Sequence, residues 1–255
     1  MLDTKMFAEK VTLVTGGTSG IGRATAVAFG KEGAQVIIAA RRENLGNEVV
    51  KEIEDGGGQA TFIRTDVRMP EEIDHLFKTL LKRYGRLDIA FNNAGASLPH
   101  VPTAAKTTLA EWDLVLETNL RGVWLCMRQE IPQMLKQGGG IIVNTSSILG
   151  FTGEYGLTHY CASKHGILAL TKTAALEYAR ENIRINAVCP GPIMTAMIEN
   201  AVPFMPTMLD LLKNGTAMKR IGSADEVAGA VLWLCSDEAS FMIGKEIVTD
   251  GGYTV

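Results

Sequence analysis

Seven short apolar runs, alternating with longer stretches of helical periodicity, constrain this chain more than any other feature. The runs fall at 11–15, 35–40, 60–65, 87–92, 140–146, 183–188 and 245–250. Several are apolar on both faces and rich in β-branched residues, as strands covered on both sides must be. Between them the spacing predicts helices at 20–32, 43–55, 71–84, 111–136, 159–180 and 224–236. Strand–helix–strand alternation implies parallel strands joined by right-handed crossovers. The expected fold is α/β, a doubly wound parallel sheet with helices on both faces. No repeat, low-complexity tract or linker divides the chain, so residues 1–255 are read as a single domain. One insertion, 190–215, carries four prolines and four methionines. It is expected to be an irregular substrate-binding flap.

Composition excludes several classes. With 46% hydrophobic and 21% charged residues and a formal net charge of −3, the chain lacks the basic surface that nucleic-acid binding needs. The longest apolar run, 227–235, is far short of the roughly 18 residues of a membrane span. Residues 1–10 contain no signal-peptide core. The four cysteines form no C-x-x-C pair, and the four histidines have no metal-site spacing. A reduced, cytoplasmic, metal-free protein is expected.

The first strand runs into "TGGTSGIG", residues 15–22, and then into a helix. Gly16, Gly20 and Gly22, with Thr18, Ser19 and Ile21 between them, form the kind of turn that lets backbone N–H groups approach a pyrophosphate at a helix N-terminus. The alternative is a set of glycines that serve packing alone. At the end of the second strand, an NAD site usually places an acid about 20 residues beyond the glycines. Here Ala40 stands in that region, followed by Arg41 and Arg42. A guanidinium can grip a 2′-phosphate bidentately, so the pair points to NADP(H). Two solvated arginines opening a loop are the alternative. NAD stays open as the less favoured cofactor, because Ser19 adds no second positive charge. Asp66 and Val67 follow the third strand, and Asn92, Asn93, Ala94 and Gly95 the fourth. Strand carboxyl ends are where open α/β sheets bind ligands. Asp66 is expected to face an adenine amino group and Val67 its ring, with Asn92 and Asn93 tying strand ends together.

Tyr160 and Lys164 open the sixth expected helix at i,i+4 spacing, which puts them on one face. An ammonium beside a phenol should lower its pKa from near 10 and fit it for general acid–base work. Ser147 ends the fifth strand, where its hydroxyl could hold a substrate oxygen as charge develops. Asn119 lies inside the expected helix 111–136 although asparagine is a poor helix former. Either it opens that helix to bind a water that links Lys164 to solvent, or it is a satisfied core amide.

With "TGGTSGIG", "DV", "NNAG", Asn119, Ser147, "YCASK" and "PGPIMT" in this order and spacing, the chain resembles a short-chain dehydrogenase/reductase over residues 7–252. The resemblance implies a Rossmann-type sheet of seven parallel strands and a catalytic tetrad of Asn119, Ser147, Tyr160 and Lys164. It implies that Tyr160 and Lys164 also contact the cofactor, Lys164 through the nicotinamide ribose. Pro190, Gly191, Ile193 and Thr195 would join them, with Ile193 and Thr195 at the carboxamide. It also implies a homotetramer. The substrate side is expected to include Ser147, Leu149, Tyr155, Tyr160 and Met197, with Ala96, Leu98, Phe151 and Met194 nearby. That mostly apolar set suits a neutral, moderately hydrophobic ketone or secondary alcohol. The alternatives are an NAD-dependent alcohol dehydrogenase of the same fold and a non-catalytic dinucleotide-sensing protein.

Overall fold

A computed structural model describes residues 5–204 and 207–255. Strand β1 (Val11–Thr15) is buried at every position, and β2 (Gln35–Ala40) at all but its first, so neither has a solvent face. They are followed by β3 (Gln59–Arg64), β4 (Ile89–Asn92), β5 (Gly140–Thr145), β6 (Ile183–Pro190) and β7 (Glu246–Thr249). All pair in parallel in the order β3-β2-β1-β4-β5-β6-β7. The order reverses direction between β1 and β4, which opens a crevice at their carboxyl ends.

Helices α1 (Gly20–Lys31), α2 (Glu43–Asp55) and α9 (Ala224–Cys235) cover one face. They build a core with Phe29, Val49, Ile53, Val231 and Leu234 against Val14, Ile38 and Phe91. Helices α3 (Pro70–Tyr84), α5 (Gly122–Gln137) and α6 (Thr158–Tyr178) cover the other, where Leu76, Leu80, Met127, Met134 and Ile167 pack on Leu13, Ile37 and Ala90. Two apolar layers explain why the strands read as unbroken hydrophobic runs.

The expected helix 111–136 is not continuous. Helix α4 (Leu109–Leu116) begins earlier, fixed by a capping box in which Thr108 and Glu111 satisfy each other's backbone N–H groups. A π turn, Glu117–Arg121, then separates it from α5. The insertion after β6 is also more regular than expected, with α7 (Ala196–Ala201) and α8 (Met208–Gly215). Its base is zipped by a parallel bridge, with Met194 N–H donating to the Gly222 carbonyl and Gly222 N–H to that of Pro192, both at 2.9 Å.

Candidate active site

The glycine loop is built around two close approaches. Gly16 takes φ +67°, and a Cβ there would lie 2.8 Å from the Ala94 Cα. A Cβ on Gly22 would fall on the Gly16 carbonyl oxygen and within 2.5 Å of Asn93 Nδ2. The loop is thus pressed onto the end of β4 as well as onto α1. Thr15 completes the junction, its hydroxyl accepting from Asn93 N–H at 3.0 Å and Ala94 N–H at 3.1 Å. Ser19, the N-cap residue of α1, makes no side-chain cap, and the first turn holds no acidic residue. The N–H groups and positive dipole end of α1 are therefore open to an external anion. Thr18 is buried and Ile21 half-buried on the inner side of the loop.

Arg42, exposed on its other side, lays its guanidinium across this loop, donating to Thr18 Oγ1 at 3.2 Å and Ser19 Oγ at 3.0 Å. It brings to Ser19 the positive charge that the loop's own sequence lacks. Arg41 is exposed and acts instead on Asp66, whose carboxyl is held below the usual range chiefly by hydrogen bonding from Arg68. The Arg68 guanidinium grips both Asp66 oxygens, the shortest contact being 2.6 Å. Oδ1 accepts from the Arg68 backbone N–H as well, at 3.1 Å, so Arg68 alone engages each oxygen twice. Val67 is buried against Gly122.

The end of β5 organises the proton-transfer groups. Three consecutive residues each meet α6 or its catalytic side chains. The Thr145 carbonyl accepts from Lys164 Nζ at 2.8 Å, and Ser146 Oγ donates to the Lys164 carbonyl at 2.9 Å. Ser147, whose hydroxyl accepts from Leu149 N–H at 3.1 Å, lies near enough to the Tyr160 phenol to favour its ionised form. Lys164 is buried, with Nζ 5.5 Å from the centre of the Tyr160 ring. Burial decides both titrations. It pushes the half-buried Tyr160 up to about 12, Ser147 acting the other way, and pulls Lys164 down to about 8. The expected lowering of the phenol by Lys164 is not found in the chain itself, where burial dominates and the ammonium turns towards the Thr145 carbonyl.

Asn119 sits in the π turn, fully buried. Its Oδ1 accepts from Ala96 N–H at 2.7 Å, and its Nδ2 donates to the Ala96 carbonyl at 2.9 Å and to Ser163 Oγ at 3.1 Å. Ser163 Oγ in turn donates to the Tyr160 carbonyl at 2.7 Å. Both amide hydrogens are taken by protein partners, and the side chain ties the loop after β4 to the turn of α6 that carries Tyr160. Gly95 lies beside it, where a Cβ would be 3.6 Å from Asn119 Oδ1.

On the flap side, Pro190 ends β6, and Gly191 packs so closely on Asp250 that a Cβ would approach its side chain to 2.5 Å. Ile193 is buried, and Thr195 begins α7 with its methyl 3.0 Å from the place a Gly20 Cβ would occupy. Leu149 is half-buried, whereas Tyr155 is 74% exposed and Phe151 and Met194 are also exposed. The Met197 side chain lies outside the described residues. Thr15, Thr145, Ser146 and Ser163 were not among the expected site residues. Their signal was position, since each lies at the end of β1 or β5 or one turn from a candidate catalytic residue.

An open anion site at a strand–glycine–helix turn, a reversal of strand order beside it, and a Ser–Tyr–Lys group on the next strand ends define a dinucleotide-dependent oxidoreductase. The comparisons with known proteins agree. The family described as enoyl-(acyl carrier protein) reductase matches residues 16–254. A-factor type γ-butyrolactone 1′-reductase (1S-forming) of Streptomyces virginiae is 38% identical over 251 residues, covering 98% of this chain and 97% of the relative. Cyclohexanol dehydrogenase of Acinetobacter sp. (strain SE19) is 40% identical over 248 residues, covering 97% and 96%. The crystal structure of levodione reductase superposes with a TM-score of 0.93 at 36% identity, covering 96% of this chain and 98% of that one. The chain belongs to the short-chain dehydrogenase/reductase family, whose members are NAD(P)-dependent oxidoreductases. No helix of the described residues is long and apolar enough to cross a membrane.

Proposed function

We propose that the protein interconverts a neutral, moderately hydrophobic ketone and its secondary alcohol with NADP(H), and that Tyr160 transfers the proton. The observation that carries this reading is the run Thr145–Ser147, which joins Lys164 and Tyr160 at the mouth of the crevice beside the open N-terminus of α1. The uncapped N–H groups fit a pyrophosphate, and the Arg42 guanidinium at Thr18 and Ser19 fits a 2′-phosphate. When bound, the cofactor supplies the hydride and, oxidised, a positive charge beside the phenol.

The chain's own residues do the rest. Ser147 orients the substrate oxygen towards Tyr160. In reduction the phenol donates its proton to that oxygen, and in oxidation the phenolate accepts it. Lys164, held at Thr145, supplies positive charge beneath the ring and would hold the cofactor ribose when the cofactor is bound. Asn119 fixes the loop from Ala96 against α6, so the substrate sits between that loop and Leu149, Tyr155, Ile193 and Thr195. The apolar, exposed Phe151, Tyr155 and Met194 favour an uncharged substrate. The names cyclohexanol dehydrogenase and levodione reductase, each given to a relative, point towards cyclic ketones and alcohols.

The four free cysteines favour a reducing compartment such as the cytoplasm. A homotetramer is supported by a hollow of about 410 Å³ between Leu116, Leu120, Trp124 and Leu170, with Trp124 47% exposed. Trp233 of α9, Phe241 and Val248 of the edge strand β7 are exposed apolar residues as well.

The test is oxidation of NADPH and NADH against cyclic and open-chain ketones, in wild type and Arg42→Ala. A charge-assisted contact contributes about 1.5–3 kcal/mol, so the variant should lose about one to two orders of magnitude in kcat/KM with NADPH. NADH should be nearly unaffected. Equal losses with both cofactors, or a wild-type preference for NADH, would overturn the NADP(H) reading. Binding of either cofactor without turnover across the panel would point to a dinucleotide sensor.

A further inference from the structure

Beneath the end of β4, away from the crevice, α5 sends a carboxyl group into the core. Glu130 is fully buried, with one oxygen, Oε2, accepting from Asn92 Nδ2 at 3.1 Å. The second Asn92 N–H goes to Asn144 Oδ1 at 3.1 Å, and Asn144 Nδ2 donates to Thr171 Oγ1 at 3.0 Å. Two buried acceptors remain without a partner in this cluster: Glu130 Oε1 and Asn92 Oδ1. They belong to two groups already joined through their other atoms. An ionised carboxylate only accepts, so it leaves both atoms unsatisfied. A carboxylic acid has a donor to offer, and the free acceptor nearest in connectivity is the amide oxygen of the residue it already binds.

We propose that Glu130 is a carboxylic acid that donates its proton to Asn92 Oδ1, and that this acid–amide pair is the positioning device for the cofactor-side loop Asn93–Gly95. Asn92 is the last residue of β4, and the two residues after it, Asn93 and Ala94, press against Gly16 and Gly22 of the glycine loop. Rotation of the Asn92 amide would move that loop against α1. The role assigned to Asn93–Gly95 rests on the cofactor reading above, whereas the protonation of Glu130 does not.

The network favours the neutral form. Asn92 of β4 bonds Glu130 directly, Asn144 of β5 and Thr171 of α6 follow it along the chain of hydrogen bonds, and one turn back on α5 stands Cys126, a thiol that burial also pushes up. None of these is a cation. Burial pushes Glu130 up to about 8, opposed only by Asn92. A carboxyl raised in the folded state contributes fully below its unfolded value near 4.5, and its contribution is lost as pH rises through about 8. The acid–amide pair should therefore fail on the alkaline side, as the proton leaves and Asn92 Oδ1 loses its donor.

Glu130→Gln mimics the acid, since Nε2 can donate to Asn92 Oδ1 and Oε1 can accept from Nδ2. The experiment compares infrared difference spectra and cofactor KM against pH for wild type, Glu130→Gln and Glu130→Leu, with NADPH and NADH as probes. Wild type at neutral pH should show a protonated-carboxyl stretching band that shifts in D₂O and is missing from Glu130→Gln. Above about pH 8 the wild-type cofactor KM should rise roughly tenfold per pH unit relative to Glu130→Gln, as the acid form is depleted. Glu130→Leu should bind cofactor weakly at every pH. A carboxylate band at neutral pH overturns the protonation. Parallel KM profiles in wild type and Glu130→Gln overturn the positioning role, as does wild-type cofactor binding by Glu130→Leu. Should the leucine variant fail to fold, the spectrum and the glutamine profile decide alone.

Discussion

Lys164 should make the apoprotein less stable than it would be without the charge, and the size of that effect can be worked from its surroundings. It is 4% exposed, and burial draws it from 10.5 to about 8. At about 1.4 kcal/mol per pKa unit, the folded state pays roughly 3 kcal/mol to keep the ammonium charged at pH 7. The sign follows from proton counting. Between pH 8 and 10.5 the unfolded chain holds a proton that the folded chain has released, so the stability of wild type rises through that window. Lys164→Met keeps the length of the side chain and removes the charge. It also removes the bond to the Thr145 carbonyl, an offset of about 1–3 kcal/mol that does not depend on pH. The absolute difference at pH 7 should thus be small, with the variant equal to wild type or slightly more stable. The difference between the two should then move by roughly 3 kcal/mol in favour of wild type as pH rises past 10, or about 6–12 °C in melting temperature for a chain of this size. Thermal unfolding of both apoproteins at pH 7, 8, 9 and 10 measures this directly, because other groups titrate in common and cancel. A difference that stays constant across that range would refute the desolvation argument for Lys164.

Three other substitutions probe the site. Tyr160→Phe should lower turnover by about 10²–10⁴-fold while cofactor binding persists, which single-turnover kinetics and cofactor titration will check. Retention of a tenth of wild-type turnover, roughly ten times the smallest such effect, would remove Tyr160 from the proton transfer. Asn119→Ala strands the buried amide partners at Ala96 and should cost about 2–5 kcal/mol in chemical denaturation, with a loss below about 1 kcal/mol contradicting the tie between loop and helix. Gly22→Ala drives a methyl onto the Gly16 carbonyl and should cost about 1–3 kcal/mol of stability together with cofactor affinity, read by melting and by fluorescence titration. Unchanged cofactor affinity in that variant would dissociate the close approach from binding.

Much of the fold could be read from the residues, for a physical reason. Strands such as Val11–Thr15 are covered on both faces, so the apolar run marks a strand whatever its neighbours are. The π turn was harder. Asn119 is a poor helix former, but the apolar periodicity continues on both sides of it, and the backbone opens only because Ala96 and Ser163 draw the amide inward. Arg42 read as one of two arginines at a loop. Its reach to Thr18 and Ser19 depends on the pairing of β1 with β2, which brings residues more than 20 positions apart together. Glu130 was not singled out from the sequence, yet it follows Cys126 by four and Met127 by three and precedes Met134 by four, all buried. An acid on the apolar stripe of a helix was the available signal. The phenol pKa misled, since the i,i+4 spacing places Lys164 on the right face but says nothing of how dry that face is.

The zipped base of the segment between Ile193 and Gly222 bears on how such a protein can change what it accepts. Both ends of the insertion are already fixed by paired backbone hydrogen bonds, so the entropy of closing the loop is settled at its neck and not along its length. Doubling the length of such a loop adds only about 0.6 kcal/mol to its closure cost. The strand ends that hold Ser147, Tyr160 and Lys164 lie outside the neck. Insertions, deletions and exchanges between Ala196 and Asn214 are therefore thermodynamically cheap, and the cover of the substrate cleft can diversify while the proton-transfer machinery stays as it is.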